Sequence, residues 1–248
     1  VDEAFAQGDS LLHRTDPKVK VLVAAVFVTV VAISSSFTAA AMALGCSLLL
    51  VLIARLDLTK VAKRLLAANS FTLFLWLTLP LTYGGSDQLP LGALSLSRAG
   101  IDLAALITLK TNVIVLAIVG LLGTSRIASV GHALEALGVP QRLCFLLLFS
   151  YRYIFVIYQE YQRLVRAAKL RCFIPRTNIH TYRTYGYLFG MTLIRSWNRS
   201  FRVHQAMLLR GFNGRLIPLD TQQLCRRDLV FLATGLLVTG GLIVVQLL

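Results

Sequence analysis

The sequence predicts an all-α membrane protein of about five transmembrane helices, with a cytoplasmic helical domain of long crossing amphipathic helices inserted before the last span. Three observations carry this prediction. Hydrophobic residues make up 56% of the 248, with a mean hydropathy of +0.72, which is too apolar for a soluble domain with a polar surface. The apolar residues gather into runs close to the length of a bilayer span. The 25 Lys and Arg residues, against 11 Asp and Glu, fall almost entirely between those runs.

The runs follow in order. Pro17 is placed as the first helical residue with Asp16 as its cap, and residues 19–33 form a first apolar run, short for a span, with Lys18 and Lys20 as snorkelling ends. A turn at Ser34 to Ser36 leads into residues 37–54, so the first two spans make a tight hairpin. Residues 55–64 (RLDLTKVAKR) read as a basic loop, residues 65–83 as a third span with Pro80 near its far end, and GGSDQLPLGALSLS as a longer loop. Residues 99–123 are the fourth span and residues 229–248 the last. The chain opens with the polar VDEAFAQGDS, and no cleavable signal peptide is expected before the first apolar run.

Charge sets the orientation. With the N-terminus inside the cell, 23 of the 25 basic residues lie on the cytoplasmic side, Arg98 lies outside, and Lys110 lies within a span. The basic balance is thereby explained without nucleic acid, and the C-terminus is placed outside. The predicted organisation is residues 1–124 as transmembrane helices 1 to 4, residues 125–227 as the cytoplasmic domain, and residues 228–248 as the last transmembrane helix.

The cytoplasmic domain begins with a short helix stopped by Gly138, after which Pro140 starts a long helix running to about Arg171. The first half of that helix is apolar but carries Arg152, and it is read as lying along the underside of the membrane bundle. Arg152, Gln159, Arg163 and Arg166 share one helical stripe, and after a loop (FIPRTNIHTYRTYGY) a second helix carries Arg195, Arg199 and Arg202 on another. Such stripes are ordinarily solvated faces with some attraction for anionic lipid.

One pattern occurs twice in this region. YQRLVRAAKLRCF (161–173) and SFRVHQAMLLRGF (200–212) share Arg163/Arg202, Ala167/Ala206, Leu170/Leu209, Arg171/Arg210 and Phe173/Phe212. Each copy reads as the last turns of a helix and its stop. Gly211 suits the left-handed closing residue, Phe212 the apolar contact after it, and Arg210 the carbonyl end of the helix dipole. Cys172 stands in the first copy where glycine stands in the second, and a non-glycine residue is strained there. Two ordinary helix ends that happen to carry arginine are the plain alternative.

Other chemistries lack their residues. There is no GxxxxGK[ST], no HExxH, no GxSxG and no paired acidic motif for magnesium, so a catalytic role is not expected. Cysteines 46, 144, 172 and 225 have neither disulfide nor zinc spacing, and no metal site is predicted. Lys110 and Asn112, in the middle of the fourth span, are candidates for an interface with another membrane subunit; the alternative is that Lys110 binds neighbouring helix carbonyls and fixes packing.

HRTDPKVK, ALEALGVPQRL, SYRYIFVIYQEYQRLVRAAKLRCF and RSWNRSFRVHQAMLLRGF together resemble the transmembrane T component of energy-coupling-factor (ECF) ABC transporters, the CbiQ/EcfT family, and most closely its CbiQ branch, which serves cobalt uptake for cobalamin biosynthesis. The resemblance covers the cytoplasmic half well and the spans by pattern. The first copy departs from the family pattern at Cys172 and in the Lys169 and Leu170 that separate Ala168 from Arg171.

The resemblance implies a non-catalytic permease subunit of the prokaryotic plasma (inner) membrane. Its partners would be a CbiO-like ABC ATPase dimer, which binds ATP and magnesium, and a CbiM-like substrate-binding membrane subunit with a small CbiN-like one. No cofactor is expected in this chain. The implied ATPase-coupling residues are Ala168, Arg171, Cys172 and Phe173 at one helix end and Ala206, Arg210, Gly211 and Phe212 at the other. Arg152, Arg163, Arg166, Arg195, Arg199 and Arg202 form the supporting basic stripe. Nickel or a vitamin is the alternative substrate. A stand-alone channel or secondary carrier, a membrane-bound enzyme and a lipid-binding scaffold are the rivals in kind.

Overall fold

The computed structural model describes residues 8, 10, 12–13, 15–82, 88–91, 94–214 and 226–247. Among these the chain forms eight helices and one two-stranded ribbon: α1 (Pro17–Ile33), α2 (Phe37–Ile53), α3 (Leu58–Thr82), β1 (Gln88–Leu91), β2 (Leu94–Ser97), α4 (Arg98–Leu121), α5 (Ile127–Ala136), α6 (Gln141–Leu170), α7 (Ile179–Leu209) and α8 (Arg226–Leu247). The all-α membrane class stands. Packing divides the chain into two units, one holding α1 to α5 with α8 and the other holding α6 and α7.

In the first unit α4 is the central helix. It packs against α3, α2 and α1, and its buried side is built of small and branched residues including Ala104, Val113, Ala117 and Gly120. Phe27 and Val31 of α1, Ala43 of α2, Val113 and Ala117 of α4 and Leu242 of α8 form one core cluster, and Val19, Val23, Val51, Leu116 and Leu121 belong to a second. Gly100 lets α3 and α4 touch, since a Cβ there would sit 2.8 Å from the Leu79 carbonyl oxygen. The outer face of α3 stays uncovered, with Leu66, Phe71, Leu73 and Phe74 exposed.

The α1 start is as the sequence predicts. Asp16 caps the helix by accepting a hydrogen bond from the Lys18 backbone N–H, and Pro17 follows at the first helical position. Asp16 is also joined to α8, because its backbone N–H donates to Asp228 Oδ1 at 3.0 Å. Lys20, one turn on, is 1% exposed and donates to Thr124 Oγ1 (3.3 Å) and Ser125 Oγ (2.9 Å) in the turn after α4. A buried cation facing Asp16 and Asp228 thus ties three chain segments together; Lys20 is not the snorkelling end that its position beside an apolar run suggested. The hairpin turn is also as expected, with Ser34 closing α1 and Ser36 capping α2.

Several boundaries differ from the sequence reading. The basic loop 55–64 is a short turn, in which Arg55 takes a left-handed φ of 50°, followed by the first turns of α3. Asp57 makes the early start feasible, because its carbonyl accepts from Lys60 and Val61 and its carboxylate pairs with Lys60 at 2.7 Å. The loop after α3 contains the β1–β2 ribbon, an antiparallel pair with Leu89 opposite Leu96. α5 packs on α1 and belongs to the first unit.

Among the described residues four helices are long and apolar enough to cross a membrane: α3, α4, α6 and α8. α1 and α2 have 17 residues each, the lower end of what spans a bilayer, and α2 is a further, shorter apolar helix beside those four. The protein is a multi-pass membrane protein.

Lys20→Ala would remove the buried cation that faces Asp16 and Asp228 and donates to Thr124 and Ser125. Removing one member of such a buried charged set costs about 3 kcal/mol, so the thermal midpoint of the full chain in detergent should fall by several degrees; an unchanged midpoint would show that the carboxylates do not depend on Lys20.

Candidate functional site

The second unit is a pair of long helices. Phe173, just after α6, packs edge-on against Tyr185 near the start of α7 with ring centres 5.8 Å apart. Tyr161 stacks on Phe189 at 5.1 Å, and Phe212, just after α7, lies 5.4 Å from Phe145 in the first turns of α6. This sequence of contacts makes the two helices antiparallel, so Arg171 and Arg210 mark opposite ends of the pair. Arg171 lies 26 residues along α6 from Phe145, the ring that Phe212 meets, which separates the two ends by about 40 Å.

Both helices end in the same backbone motif. After α6, the Cys172 N–H donates to the Lys169 carbonyl and the Phe173 N–H to Ala168; after α7, the Gly211 N–H donates to Leu208 and the Phe212 N–H to Met207. These are the two bonds of a Schellman stop, with Arg171 and Arg210 as the capping residues. Cys172 has φ 61° and Gly211 φ 76°, so the cysteine adopts the same left-handed turn as the glycine. The strain expected at Cys172 is accommodated without changing the stop.

At each end the arginine is exposed, and among the described residues neither guanidinium has a hydrogen-bond or ion-pair partner. Phe173 and Phe212 are half-buried on their own unit's rings, so they shape the ends from within. The exposed apolar groups are the leucines that precede the arginines, Leu170 at 87% and Leu209 at 90%. The site prediction omitted them although both belong to the repeat. Cys172 and Gly211 are exposed, as is Ala206, while Ala168 is half-buried.

The basic stripe does not act as one surface. Arg163, Arg195 and Arg199 converge on a single carboxylate: Arg195 Nη1 donates to Glu160 Oε1, and Arg163 Nη1 and Arg199 Nη2 each stand 3.6 Å from Oε2. Arg166 donates to the Gln162 carbonyl on its own helix, and Arg152 and Arg202 are exposed. Sequence reasoning missed Glu160, which is 9% exposed. A signal was there to find, since Glu160 is the one acidic residue in 138–219, among 13 Lys and Arg.

Lys110 and Asn112 lie in the first unit. Lys110 Nζ donates to the Ala32 carbonyl in the last turn of α1 at 3.0 Å, which is the packing alternative stated for it. Asn112 Oδ1 is buried with no hydrogen-bond partner. Among the described residues no three His, Cys, Asp or Glu side chains are grouped so as to hold a metal ion.

Residues 8–221 match the family of cobalt transport proteins, CbiQ. The chain belongs to the CbiQ family. Among relatives, the chain is 25% identical over 221 residues to the energy-coupling factor transporter transmembrane protein EcfT of Brevibacillus brevis, covering 85% of this chain and 83% of that one. It is 30% identical over 105 residues to the nickel permease LarQ of Lactiplantibacillus plantarum, covering 42% and 38%. Two uncharacterised proteins of Methanocaldococcus jannaschii match at 28% over 99 residues and 24% over 150, and these matches span only 36% and 51% of their lengths.

Because Cys172 is a non-glycine residue in the left-handed region, Cys172→Gly should stabilise the α6 stop by about 1 kcal/mol, and Gly211→Cys should cost the α7 stop a similar amount. Denaturation of the full chain in detergent measures both; equal and opposite shifts are expected, and destabilisation by Cys172→Gly would mean that the thiol contributes more than the turn costs.

Proposed function

We propose that this chain is the energy-coupling T subunit of an ATP-driven ECF-type importer for cobalt ion. In this reading the Arg171 end of α6 seats on one subunit of an ABC ATPase dimer and the Arg210 end of α7 on the other, while a separate membrane subunit binds the ion. The observation that carries it is the repetition of one stop at both ends of the pair: the same two backbone bonds, an exposed leucine and an arginine with no partner among the described residues. Two equivalent ends fit two equivalent partners.

The chemistry of each end defines what it would meet. A guanidinium offers a planar fork of donors suited to carboxylates or to the carbonyls at a helix end, and the leucine beside it supplies an apolar anchor. The second unit holds 13 basic residues against one acidic, so a partner groove rich in carboxylates gains complementarity along with contact. Hydrolysis of ATP, with its magnesium, belongs in this reading to the partner, and this chain is non-catalytic.

Cobalt is favoured by the family that covers residues 8–221. Nickel is the second reading, favoured by the LarQ match over 105 residues. The CbiM-like and CbiN-like partners go with the cobalt reading. The N-terminus is assigned to the cytoplasm by the distribution of Lys and Arg.

Replacing Arg171 and Arg210 together by alanine should strip the ATPase from the purified complex and lower ATP-dependent cobalt uptake at least tenfold, while each single variant retains one contact and part of the activity. Co-purification and transport of Co²⁺ and Ni²⁺ in vesicles measure this, and undiminished ATPase retention in the double variant would refute the assignment.

A further inference from the structure

Glu160 holds three arginines and lies between the two ends that Arg171 and Arg210 mark. Arg171 is 11 residues away along α6, about 17 Å, and Arg210 is 15 residues beyond Arg195 along α7, about 23 Å on the other side. Close to this point Tyr161 stacks on Phe189. Thr192, one turn before Arg195, is 5% exposed and gives its hydroxyl to its own helix, at the Leu188 carbonyl. The Glu160 contacts are the ion pairs that join α6 to α7 among the described residues.

We infer that Glu160 is the pivot of the helix pair, and that Arg195 and Arg199 are two alternative partners which let α7 shift along α6 by one turn without leaving the carboxylate unpaired. The two arginines are four residues apart, which is one turn, and both reach the same carboxylate, Arg195 by a direct hydrogen bond and Arg199 at 3.6 Å. Exchanging the direct bond from one to the other moves the contact by about 6 Å along the axis. Discrete steps of this size, past packed side chains, are how helix pairs switch between two arrangements. Arg163, from the same helix as Glu160, stays near the carboxylate in either arrangement.

A one-turn shift of α7 along α6 changes the distance between the Arg171 and Arg210 ends by about 6 Å. The pair thereby links the separation of two bound partners to its own register. This inference rests on the reading of the two ends as ATPase contacts, and it assigns Glu160, Arg195 and Arg199 as positioning residues that touch neither the nucleotide nor the ion.

The test uses the full chain co-expressed with its ATPase and membrane partners and reconstituted in vesicles, with three readouts: ATPase retained, ATP hydrolysed, and Co²⁺ or Ni²⁺ taken up. Glu160→Gln should retain the ATPase and hydrolyse ATP within about twofold of wild type, while uptake per ATP falls at least fivefold. Arg199→Ala, which leaves the Arg195 bond and no bare carboxylate, should show the same split.

Wild-type uptake per ATP in Glu160→Gln or in Arg199→Ala would overturn the pivot with its two partners. Loss of the ATPase from Glu160→Gln would also overturn it, by making Glu160 part of the docking geometry. The reading of the ends fails by a different result, ATPase retained when Arg171 and Arg210 are both alanine.

Discussion

The left-handed residue after each arginine is the constraint on which the second unit depends. Once Cys172 and Gly211 turn out of the helix, the following N–H groups can reach back to the carbonyls of Ala168 and Met207, and each phenylalanine is drawn onto the unit's own rings. That return fixes where each helix stops and leaves leucine and arginine as its outermost residues. A longer or frayed last turn would move the arginine around the helix axis by about 100° per residue. A stop defined by two bonds and a ring contact is what makes the two ends alike, although their sequences agree at only five of 13 positions.

Charge is organised differently in the two units. The first unit buries a cation, Lys20, where α1, the turn after α4 and the start of α8 meet, and it satisfies that cation with hydroxyls under the influence of two carboxylates. The second unit buries a carboxylate among arginines. Lys20 faces two carboxylates and Glu160 faces three arginines, and each joins elements distant in sequence, Lys20 to Thr124 and Glu160 to Arg195. Buried charges with partners from separate elements fix the register of what they join, because no shifted packing satisfies them except one that supplies an equivalent partner. Arg199 is such an equivalent for Arg195.

Much of this was legible in the sequence where a local rule applied. Asp16 and Pro17, Ser36, Gly138 and Gly211 each act within a few residues of themselves, and each cap or stop falls where its residue type requires. What was missed depends on contacts between distant residues. HTYRTYGY reads as loop by propensity, yet it is the start of α7, held by Phe173 against Tyr185 and by the Thr181 hydroxyl accepting from the Arg176 N–H. Glu160 is unremarkable within its own helix, because two of its partners lie 35 and 39 residues further on. The arginine stripes were visible as periodicity, but periodicity does not tell an exposed arginine such as Arg152 from one engaged across the pair such as Arg195.

The central claim is that one chain holds two ATPase subunits by two equivalent helix ends. Site-specific photo-crosslinking from position 170 and from position 209 in the assembled transporter tests it most directly, because both leucines are almost wholly exposed and lie next to the arginines. The account predicts a crosslink to the ATPase from each position, and a single product containing one copy of this chain and two ATPase subunits when both positions carry the probe. Crosslinks from one position alone, or from neither, would contradict it.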